Sequence, residues 1–227
     1  MKQIALDGPA GAGKSTIARR LAQELQFVYI DTGAMYRTLA LACIRKGISS
    51  DEEEKVCEAA RKARIDIRYL DGMQHMFLDE EDVSAQIRTE EVSKAASDTS
   101  KYPEVRERLV ALQQELAQRY NVVMDGRDIG TVVLPDADLK IFLTASVEVR
   151  ATRRYKEYLE KGMEADYEAI KKEIAERDYN DSHRAHSPLR KAEDAVELDT
   201  SDLGIDEVTE KILQLYRDRT EGNGQEA

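Results

Sequence analysis

The sequence predicts an α/β fold: a five-stranded parallel sheet with helices on both faces, a small antiparallel β insert and a later helical segment. Five short apolar segments alternate with helical patterns along the 227 residues, and this alternation is typical of a parallel sheet buried on both sides. Between residues 63 and 87 the apolar period changes from 3.6 to 2, which predicts the antiparallel insert. A long, highly charged helical stretch over residues 147–184, interrupted near Gly162, predicts the helical segment.

Composition places the chain among globular proteins and argues against several classes of partner. The 34 Lys and Arg residues against 45 Asp and Glu residues give a net charge of −11, with 41% hydrophobic residues available for a core. We therefore expect one domain over residues 1–220 and a disordered tail over residues 221–227. Nucleic acids and membranes are not expected partners, because nucleic acids and anionic lipids both require a basic surface.

The expected location is the cytoplasm. No apolar run approaches the ~20 residues that span a bilayer, and Asp7 interrupts the first apolar segment too early for a signal peptide. Cys43 and Cys57 lack the spacing of a metal or redox site, so we expect both in the core, on helices. His183 and His186 have no third His or Cys nearby, which disfavours a zinc site.

Each strand of the predicted sheet is a short apolar run bounded by turn residues or by the start of a helix. The five predicted strands are residues 2–7, 27–30, 122–125, 139–143 and 195–198. Predicted helices begin near Ser15, Asp31, Ser49, Glu90, Pro103, Val147 and Ile205.

The insert is predicted to be a hairpin. Ile65, Ile67 and Tyr69 alternate with polar residues, Asp71-Gly72 follows, and a second run extends to Leu78. Asp-Gly between two alternating runs is a strong hairpin signal, because both residues tolerate positive φ. With the helical residues after it, the insert is expected to span residues 63–97.

The first predicted strand leads directly into the pattern Gly-x-x-x-x-Gly-Lys-Ser, which is typical of a phosphate-binding P-loop and predicts a P-loop NTPase fold. In such a loop the backbone N–H groups surround phosphate, the Lys neutralises the β- and γ-phosphate oxygens, and the Ser ligates Mg²⁺. The residues predicted to bind the nucleotide are Gly8, Pro9, Ala10, Gly11, Ala12, Gly13, Lys14, Ser15 and Thr16. A glycine turn that merely links two elements is the simpler alternative, but the position between a strand and a helix favours the P-loop. The motif alone leaves open a GTPase-like switch, an ATP-driven motor and a small-molecule kinase.

Arginines distributed over several segments favour the kinase, because an enzyme that transfers a phosphoryl group between two anions must offset their repulsion. The candidate arginines are Arg37, Arg106, Arg127, Arg150, Arg153, Arg154, Arg177 and Arg184. Pairing with nearby glutamates at the surface is the alternative for each of them. That alternative is weaker for Arg37 and Arg127, which follow strand ends, where open α/β sheets bind ligands.

Four segments carry a more specific pattern: the P-loop from Gly8, Asp31-Thr-Gly-Ala-Met-Tyr-Arg37, Asp125-Gly-Arg-Asp-Ile-Gly-Thr131, and Glu176-Arg-Asp followed by Asp181 and Arg184. In this order they resemble the bacterial cytidylate kinases, which phosphorylate CMP and dCMP with ATP. The resemblance runs from Ile4 to about Tyr216. It implies the nucleoside monophosphate kinase fold, with the insert as the lobe that binds the monophosphate. Thr32 stands where the family usually has serine, a change that keeps the hydroxyl.

The resemblance also implies roles for individual residues. Arg37 and Arg127 would bind the α-phosphate of the monophosphate, and Tyr36 would pack beside the nucleotide. The residues implied to read the base are Thr32, Arg106, Asp128 and Arg184. Those implied to contact the pentose are Ser97, Arg177 and Asp181.

The implied mechanism uses ATP and Mg²⁺ and forms no covalent intermediate. ATP with Mg²⁺ is expected on Lys14 and Ser15, and Asp125 would orient Mg²⁺ through water or act on the acceptor oxygen. Residues 147–178 would close as a lid that excludes water. The arginines supplied from this region would be Arg150, Arg153, Arg154 and Arg177, with Arg153 directed to ATP. Since one chain contains all these groups, a monomer is expected.

Two other functions stay open on the sequence alone. A P-loop kinase of shikimate or dephospho-coenzyme A needs no cytosine-reading residues, and the segments beginning at Asp31 and Asp125 disfavour it. A switch or binding module would hydrolyse its nucleotide instead. A GTPase of that kind would carry a guanine-reading Asn/Thr-Lys-x-Asp segment, which the sequence lacks.

Overall fold

The computed structural model describes residues 1–70 and 72–222, which form two compact units. The first unit comprises residues 1–29 and the described chain from residue 120 onward, and the second comprises residues 30–119. The second unit is larger than the predicted insert of residues 63–97, because it also includes helices that precede and follow the insert. A single domain over residues 1–220 stays a prediction.

Strands and helices alternate through most of the described chain. In chain order the elements are β1 (Gln3–Asp7), α1 (Lys14–Leu25), β2 (Val28–Asp31), α2 (Thr32–Arg45), α3 (Glu53–Lys62), β3 (Ile65–Leu70), β4 (Met73–Leu78), β5 (Glu81–Asp82), α4 (Glu90–Thr99), α5 (Pro103–Arg119), β6 (Val122–Gly126), β7 (Leu139–Thr144), α6 (Val147–Glu160), α7 (Tyr167–His183), β8 (Val196–Asp199) and α8 (Ile205–Gly222). A 3₁₀ turn at Gln86–Arg88 and a π-helical turn at Ile129–Val133 lie between these elements.

A parallel sheet of five strands in the order β2-β6-β1-β7-β8 confirms the predicted architecture. Each strand begins and ends within one residue of its predicted bounds. β1 lies at the centre, where Asp7 is opposite Gly126 of β6 on one side and Phe142 of β7 on the other. The loops that follow β1 and β6 therefore leave the sheet side by side, at the edge where open α/β sheets bind ligands.

Burial explains why the central strands are apolar without alternation. Ile4 and Leu6 of β1 and Leu143 of β7 have no exposed surface, because helices cover the sheet. The helical residues in this core are Ile17, Ala18, Leu21 and Ala22 of α1 with Val208, Ile212 and Leu213 of α8. α1 is thus held against the sheet directly after the P-loop, which fixes where its first turn points.

The second unit contains the predicted hairpin. β3 and β4 pair antiparallel from Ile65 opposite Leu78 to Leu70 opposite Met73, and the short strand β5 adds a third strand that the alternation did not predict. Asp71, half of the predicted turn, lies outside the described residues. Elsewhere in this unit α2 packs against α4 and β4, and α3 packs against α5.

Both cysteines occupy the predicted environment. Cys43 of α2 and Cys57 of α3 are free thiols, and each is less than one-tenth exposed. Burial raises the pKa of both thiols. They are therefore small apolar groups of the core, as predicted.

The helical stretch after β7 is broken where the sequence predicted. α6 ends at Glu160, Gly162 has a φ of 71°, and α7 begins at Tyr167. α8 continues to Gly222, so it includes the first two residues of the predicted tail, and residues 223–227 lie outside the described part of the chain. Within the described residues, no helix has the length and apolar character needed to cross a membrane.

The core assignment predicts that Leu139→Ala lowers the free energy of unfolding by about 2–5 kcal/mol, because a fully buried leucine is replaced by a cavity. Leu159→Ala is the matched control, since Leu159 is 51% exposed and its loss should change stability by less than about 0.5 kcal/mol. Chemical denaturation of both variants measures the difference. Equal losses would contradict the assignment of Leu139 to the core.

Candidate active site

The P-loop presents unoccupied backbone donors to an anion. Gly13 precedes α1 in a left-handed conformation, and no side chain caps the first turn of that helix. Gly8, with a φ of 146°, cannot be replaced by a larger residue, because a Cβ there would lie 2.0 Å from the Leu143 carbonyl oxygen. The Lys14 Nζ donates to the Pro9 carbonyl at 2.7 Å, so its ammonium group lies back over the loop. Free N–H groups at a helix start and a lysine over them form a phosphate-binding arrangement.

Oxygen ligands suited to Mg²⁺ lie at the end of β6. The Ser15 hydroxyl donates to one carboxylate oxygen of Asp125 at 2.8 Å, and the Tyr29 hydroxyl donates to the other at 2.8 Å. A hydroxyl beside a buried carboxylate is the donor chemistry that Mg²⁺ prefers, with phosphate and water oxygens completing its shell. Ser15 and Asp125 were predicted from the sequence, whereas Tyr29 was missed, because nothing in its apolar strand indicates what its hydroxyl contacts.

Cations are concentrated beside the P-loop. Burial, and then the Arg127 guanidinium, lower the pKa of Lys14 well below its usual value. Burial and Arg127 likewise lower the pKa of Arg177 to about 10, and the buried Nε of Arg177 has no hydrogen-bond partner among the described residues. Cations that destabilise one another in this way form a site for a polyanion. We call Lys14, Arg127 and Arg177 the cation cluster.

Asp181 is the acidic partner of the cation cluster. The Arg127 Nε donates to Asp181 Oδ2 at 2.8 Å. Burial opposes ionisation of this carboxyl, but Arg127, together with Arg177 and Arg184, more than compensates, so the pKa of Asp181 lies below its usual value. Asp181 therefore holds Arg127 in a defined orientation while it remains charged.

Asp128 and Arg184, both predicted to read a base, are brought together in the first unit. Asp128 is buried, and an Arg184 Nη lies 3.9 Å from one of its carboxylate oxygens. The Arg184 Nε donates to the Ser187 carbonyl at 2.7 Å, which fixes the guanidinium. A carboxylate beside a guanidinium offers an acceptor and donors in one place, as a polar ring edge requires.

The three arginines of α6 have different partners. Arg150 is 3% exposed and donates to the carbonyls of Ala145 and Ala10, at 2.8 and 3.1 Å, and to both carboxylate oxygens of Asp178. Because Ala10 belongs to the P-loop, Arg150 ties α6 and α7 to that loop. Its predicted phosphate contact stays a prediction and would require these bonds to be exchanged.

Arg153 and Arg154 lie on the same helix. Arg153 donates to the Thr200 carbonyl at 2.6 Å and to its hydroxyl at 3.2 Å, and Arg154 pairs with Glu173 of α7 at 2.9 Å. Their spacing predicted a shared helix, but it gave no indication of these acceptors.

The second unit contains the remaining predicted residues. Asp31 caps α2 by accepting from the Ala34 N–H at 2.9 Å, and its other oxygen accepts from an Arg37 Nη at 3.0 Å. The buried Nε of Arg37 has no partner among the described residues.

The Arg106 guanidinium lies over the Tyr36 ring, 5.5 Å from its centroid. The other two predicted residues here are Thr32, which is buried in α2, and Ser97, which is half-buried in α4.

Asp7, which the sequence analysis did not identify as a site residue, is a buried carboxylate one residue before the P-loop. Its two oxygens accept from the backbone N–H groups of Ile129 and Gly130, at 2.8 and 2.7 Å. Burial raises the pKa of Asp7 to about 6, although the two hydrogen bonds oppose the increase. Its position as a charged residue at the end of an otherwise apolar strand is the sequence feature that could have identified Asp7 as a candidate site residue.

The raised pKa of Asp7 predicts a pH-dependent stability that Asp7→Asn removes. Between the usual value of 3.8 and about 6 the folded chain binds the Asp7 proton more tightly than the unfolded chain does, so the free energy of unfolding falls as pH rises. The difference corresponds to about 3 kcal/mol. Urea denaturation of both proteins at pH 4 and pH 7 should show the variant gaining about that much relative to the wild type. A pH-independent difference would contradict the raised pKa.

Comparison with known proteins places the chain in a family. The sequence model of the family described as "Cytidylate kinase" matches residues 4–218. The chain is 54% identical over 213 residues to the cytidylate kinase of Caldicellulosiruptor bescii, which covers 94% of each chain. It is 52% identical over 212 residues to the cytidylate kinase of Bacillus cereus strain B4264, covering 93% of this chain and 94% of the relative.

Solved structures support the fold. A gluconokinase from Sinorhizobium meliloti matches with a TM-score of 0.52 at 15% identity, covering 100% of this chain and 98% of its own. At such low identity the match bears on the fold alone. The family match covers nearly the whole chain and includes the P-loop, the cation cluster and the segments that follow β2 and β6, so the chain belongs to the cytidylate kinase family.

Proposed function

We propose that the chain transfers the γ-phosphoryl group of ATP to CMP and dCMP, giving CDP and dCDP by direct in-line transfer. Membership of the cytidylate kinase family supports this reaction. The structural observation that carries it is the cation cluster beside the P-loop, in which Lys14 is buried and Arg127 and Arg177 are half-buried. An enzyme that brings two phosphorylated ligands together needs such a concentration of positive charge.

The donor end of the reaction is assigned to the P-loop. Residues 8–16 surround the phosphates of ATP, and Lys14 moves from the Pro9 carbonyl to the β- and γ-phosphate oxygens. Ser15 and Asp125 would hold Mg²⁺, which neutralises charge on those phosphates when it is bound. Tyr29 keeps Asp125 oriented through its hydroxyl.

Charge stabilisation is the main catalytic task, because in-line phosphoryl transfer needs little covalent chemistry from the protein. Arg127 and Arg177 stabilise the negative charge on the equatorial oxygens of the group in transfer. Asp181 holds Arg127 in place before the ligands bind, and the α-phosphate of CMP can then take up the remaining donors. No residue forms a covalent bond to the phosphoryl group.

Base selection is assigned to Asp128 and Arg184 in the first unit. Cytosine carries an N4 amino donor, which the Asp128 carboxylate can accept, and ring acceptors that suit the Arg184 guanidinium. Uracil places a carbonyl oxygen where cytosine has the amino group. The buried Asp128 carboxylate then faces a carbonyl oxygen in place of a donor. Such a mismatch costs about 1–3 kcal/mol, which favours CMP over UMP by about ten- to hundredfold.

Further residues that the family resemblance assigns to the monophosphate belong to the second unit. Arg37, whose Nε lacks a partner among the described residues, is assigned to phosphate. Tyr36 and Arg106 form a stacked pair suited to pack on a planar base. Thr32 is assigned to the base, and Ser97 to the pentose together with Asp181 and Arg177.

Closure of residues 147–178 over the reacting phosphates is part of the proposal. Such a lid excludes the water that would otherwise hydrolyse ATP. Arg153 and Arg154 contact ATP once their present partners Thr200 and Glu173 release them. Arg150 positions the P-loop through Ala10 and contacts phosphate only if it exchanges those bonds.

The oligomeric state, the location and the partners of the protein complete the proposal. We propose that it acts as a monomer in the cytoplasm, where its two free, buried thiols match a reducing environment. Its partners are then small nucleotides, without nucleic acid or membrane, which agrees with the net charge of −11.

The proposed base selection predicts a clear order of acceptors. With ATP and Mg²⁺, kcat/KM for CMP should exceed that for UMP by at least about tenfold and that for AMP by more. A coupled assay of ADP release across the common monophosphates measures these values. Similar values for all three acceptors would rule out base reading by Asp128 and Arg184.

The cation cluster predicts that Arg127→Ala lowers kcat/KM for CMP by about a hundredfold or more, because a charge-stabilising donor is lost. Arg119→Ala is the matched control, since Arg119 is a surface residue paired with Glu115 and should leave kcat/KM unchanged. Circular dichroism verifies that both variants are folded. A folded Arg127→Ala variant with wild-type kcat/KM would contradict the proposed role.

A further inference from the structure

The reaction described above does not use Asp7, although Asp7 is a charged residue with only 4% of its surface exposed. It ends β1, immediately before the P-loop, and in the sheet register it is opposite Gly126, the residue before Arg127. Its two carboxylate oxygens each accept one backbone N–H, from Ile129 and Gly130. Both acceptor positions that face the loop after β6 are therefore filled.

These two hydrogen bonds fix the backbone next to Asp128. The Ile129 N–H lies in the same rigid peptide plane as the Asp128 carbonyl. That carbonyl accepts from the Val132 N–H at 2.9 Å, within the π-helical turn. The N–H of this peptide is thus bound by Asp7, and its carbonyl is bound by the π-helical turn. Because both ends of the peptide are fixed, the orientation of the Asp128 backbone, and with it the direction of the Asp128 side chain, is also fixed.

The fit around Asp7 is close. A Cβ on Gly130 would lie 3.4 Å from Asp7 Oδ2 and 3.2 Å from Cδ of Lys140. The Lys140 ammonium is held elsewhere, by the Asp194 carboxylate at 2.8 Å. The charged groups that act on Asp7 are Asp128, which repels it, and Lys14, which attracts it.

We propose that Asp7 is a positioning residue for base selection: by accepting from Ile129 and Gly130 it holds the Asp128 carboxylate in the orientation that reads cytosine. The inference rests on the proposed function, because it assumes that Asp128 contacts the base. Asp7 itself touches neither substrate nor Mg²⁺ in this account.

A purely structural role is the alternative, and the chemistry of the group argues against it. An ionised carboxylate buried to this extent is destabilising relative to a neutral group, as the raised pKa of Asp7 indicates. What the carboxylate provides, and a neutral side chain of the same shape does not, is two acceptors for two consecutive N–H groups.

Asp7→Asn is the direct test, because asparagine keeps the shape but has one acceptor oxygen. The ratio of kcat/KM for CMP to kcat/KM for UMP should fall at least about fivefold. Losing the attraction between Asp7 and Lys14 does not change this ratio, because it affects the reaction with both acceptors alike. Ile4→Val in the same strand is the matched control, since it removes a buried methyl group without touching the loop, and its ratio should equal that of the wild type. A folded Asp7→Asn variant that keeps the wild-type ratio would overturn the inference.

Gly130→Ala decides the matter if Asp7→Asn does not fold. The added methyl group would be crowded by Lys140 Cδ at 3.2 Å and would touch Asp7 Oδ2 at 3.4 Å. The peptide that donates to Asp7 must then shift, so the ratio should fall at least about twofold. An unchanged ratio in that variant would overturn the inference. The CMP/UMP ratio of the wild type separates this test from the proposed function. If the wild type does not prefer CMP, both base selection by Asp128 and the role of Asp7 are wrong. If the wild type prefers CMP and both variants keep its ratio, only the role of Asp7 is wrong.

Discussion

A buried lysine and a half-buried arginine beside one phosphate-binding loop are the constraint on which the first unit depends. Burial removes water from the Lys14 ammonium, and the Arg127 guanidinium repels it. Loss of hydration and repulsion each lower the free energy of unfolding. The carboxylates of Asp125, Asp181 and Asp7 offset this cost by attracting Lys14. The positions of Asp7 and Asp125 follow from the parallel sheet, since these residues stand at or near the ends of adjacent strands, whereas Asp181 lies on α7. The sheet therefore supplies the frame in which the charges are balanced before any ligand binds.

Acidic partners also keep the arginines ordered. Asp181 holds Arg127, Asp178 holds Arg150 and Glu173 holds Arg154, each on α7. One helix thus supplies the carboxylate partners of three arginines, which orients their guanidinium groups. An arginine that is already oriented loses less conformational entropy when it binds phosphate, which makes it a better catalyst of transfer.

Local patterns in the sequence predicted much of the fold and part of the site. The five strands, the hairpin of β3 and β4 and the P-loop are encoded by short-range periodicity and spacing, so they could be identified without the structure. The partners of Arg150 and the hydrogen bonds of Asp7 could not, because they join residues far apart in the chain, as Asp7 and Ile129 are.

The π-helical turn at Ile129–Val133 was missed for the same reason: a distant carboxylate anchors its first residues. Tyr29 and Asp31 illustrate a further limit, since a strand pattern shows where a side chain lies but not which group it holds.

The cation cluster is proposed to serve transfer between two nucleotides rather than hydrolysis. Phosphorus-31 NMR of the full chain with ATP, Mg²⁺ and CMP follows the γ-phosphoryl group directly. If the group is transferred to CMP, the two resonances of CDP grow in step with those of ADP, while inorganic phosphate stays absent. Inorganic phosphate released at the same rate as ADP, with CMP unchanged, would contradict it.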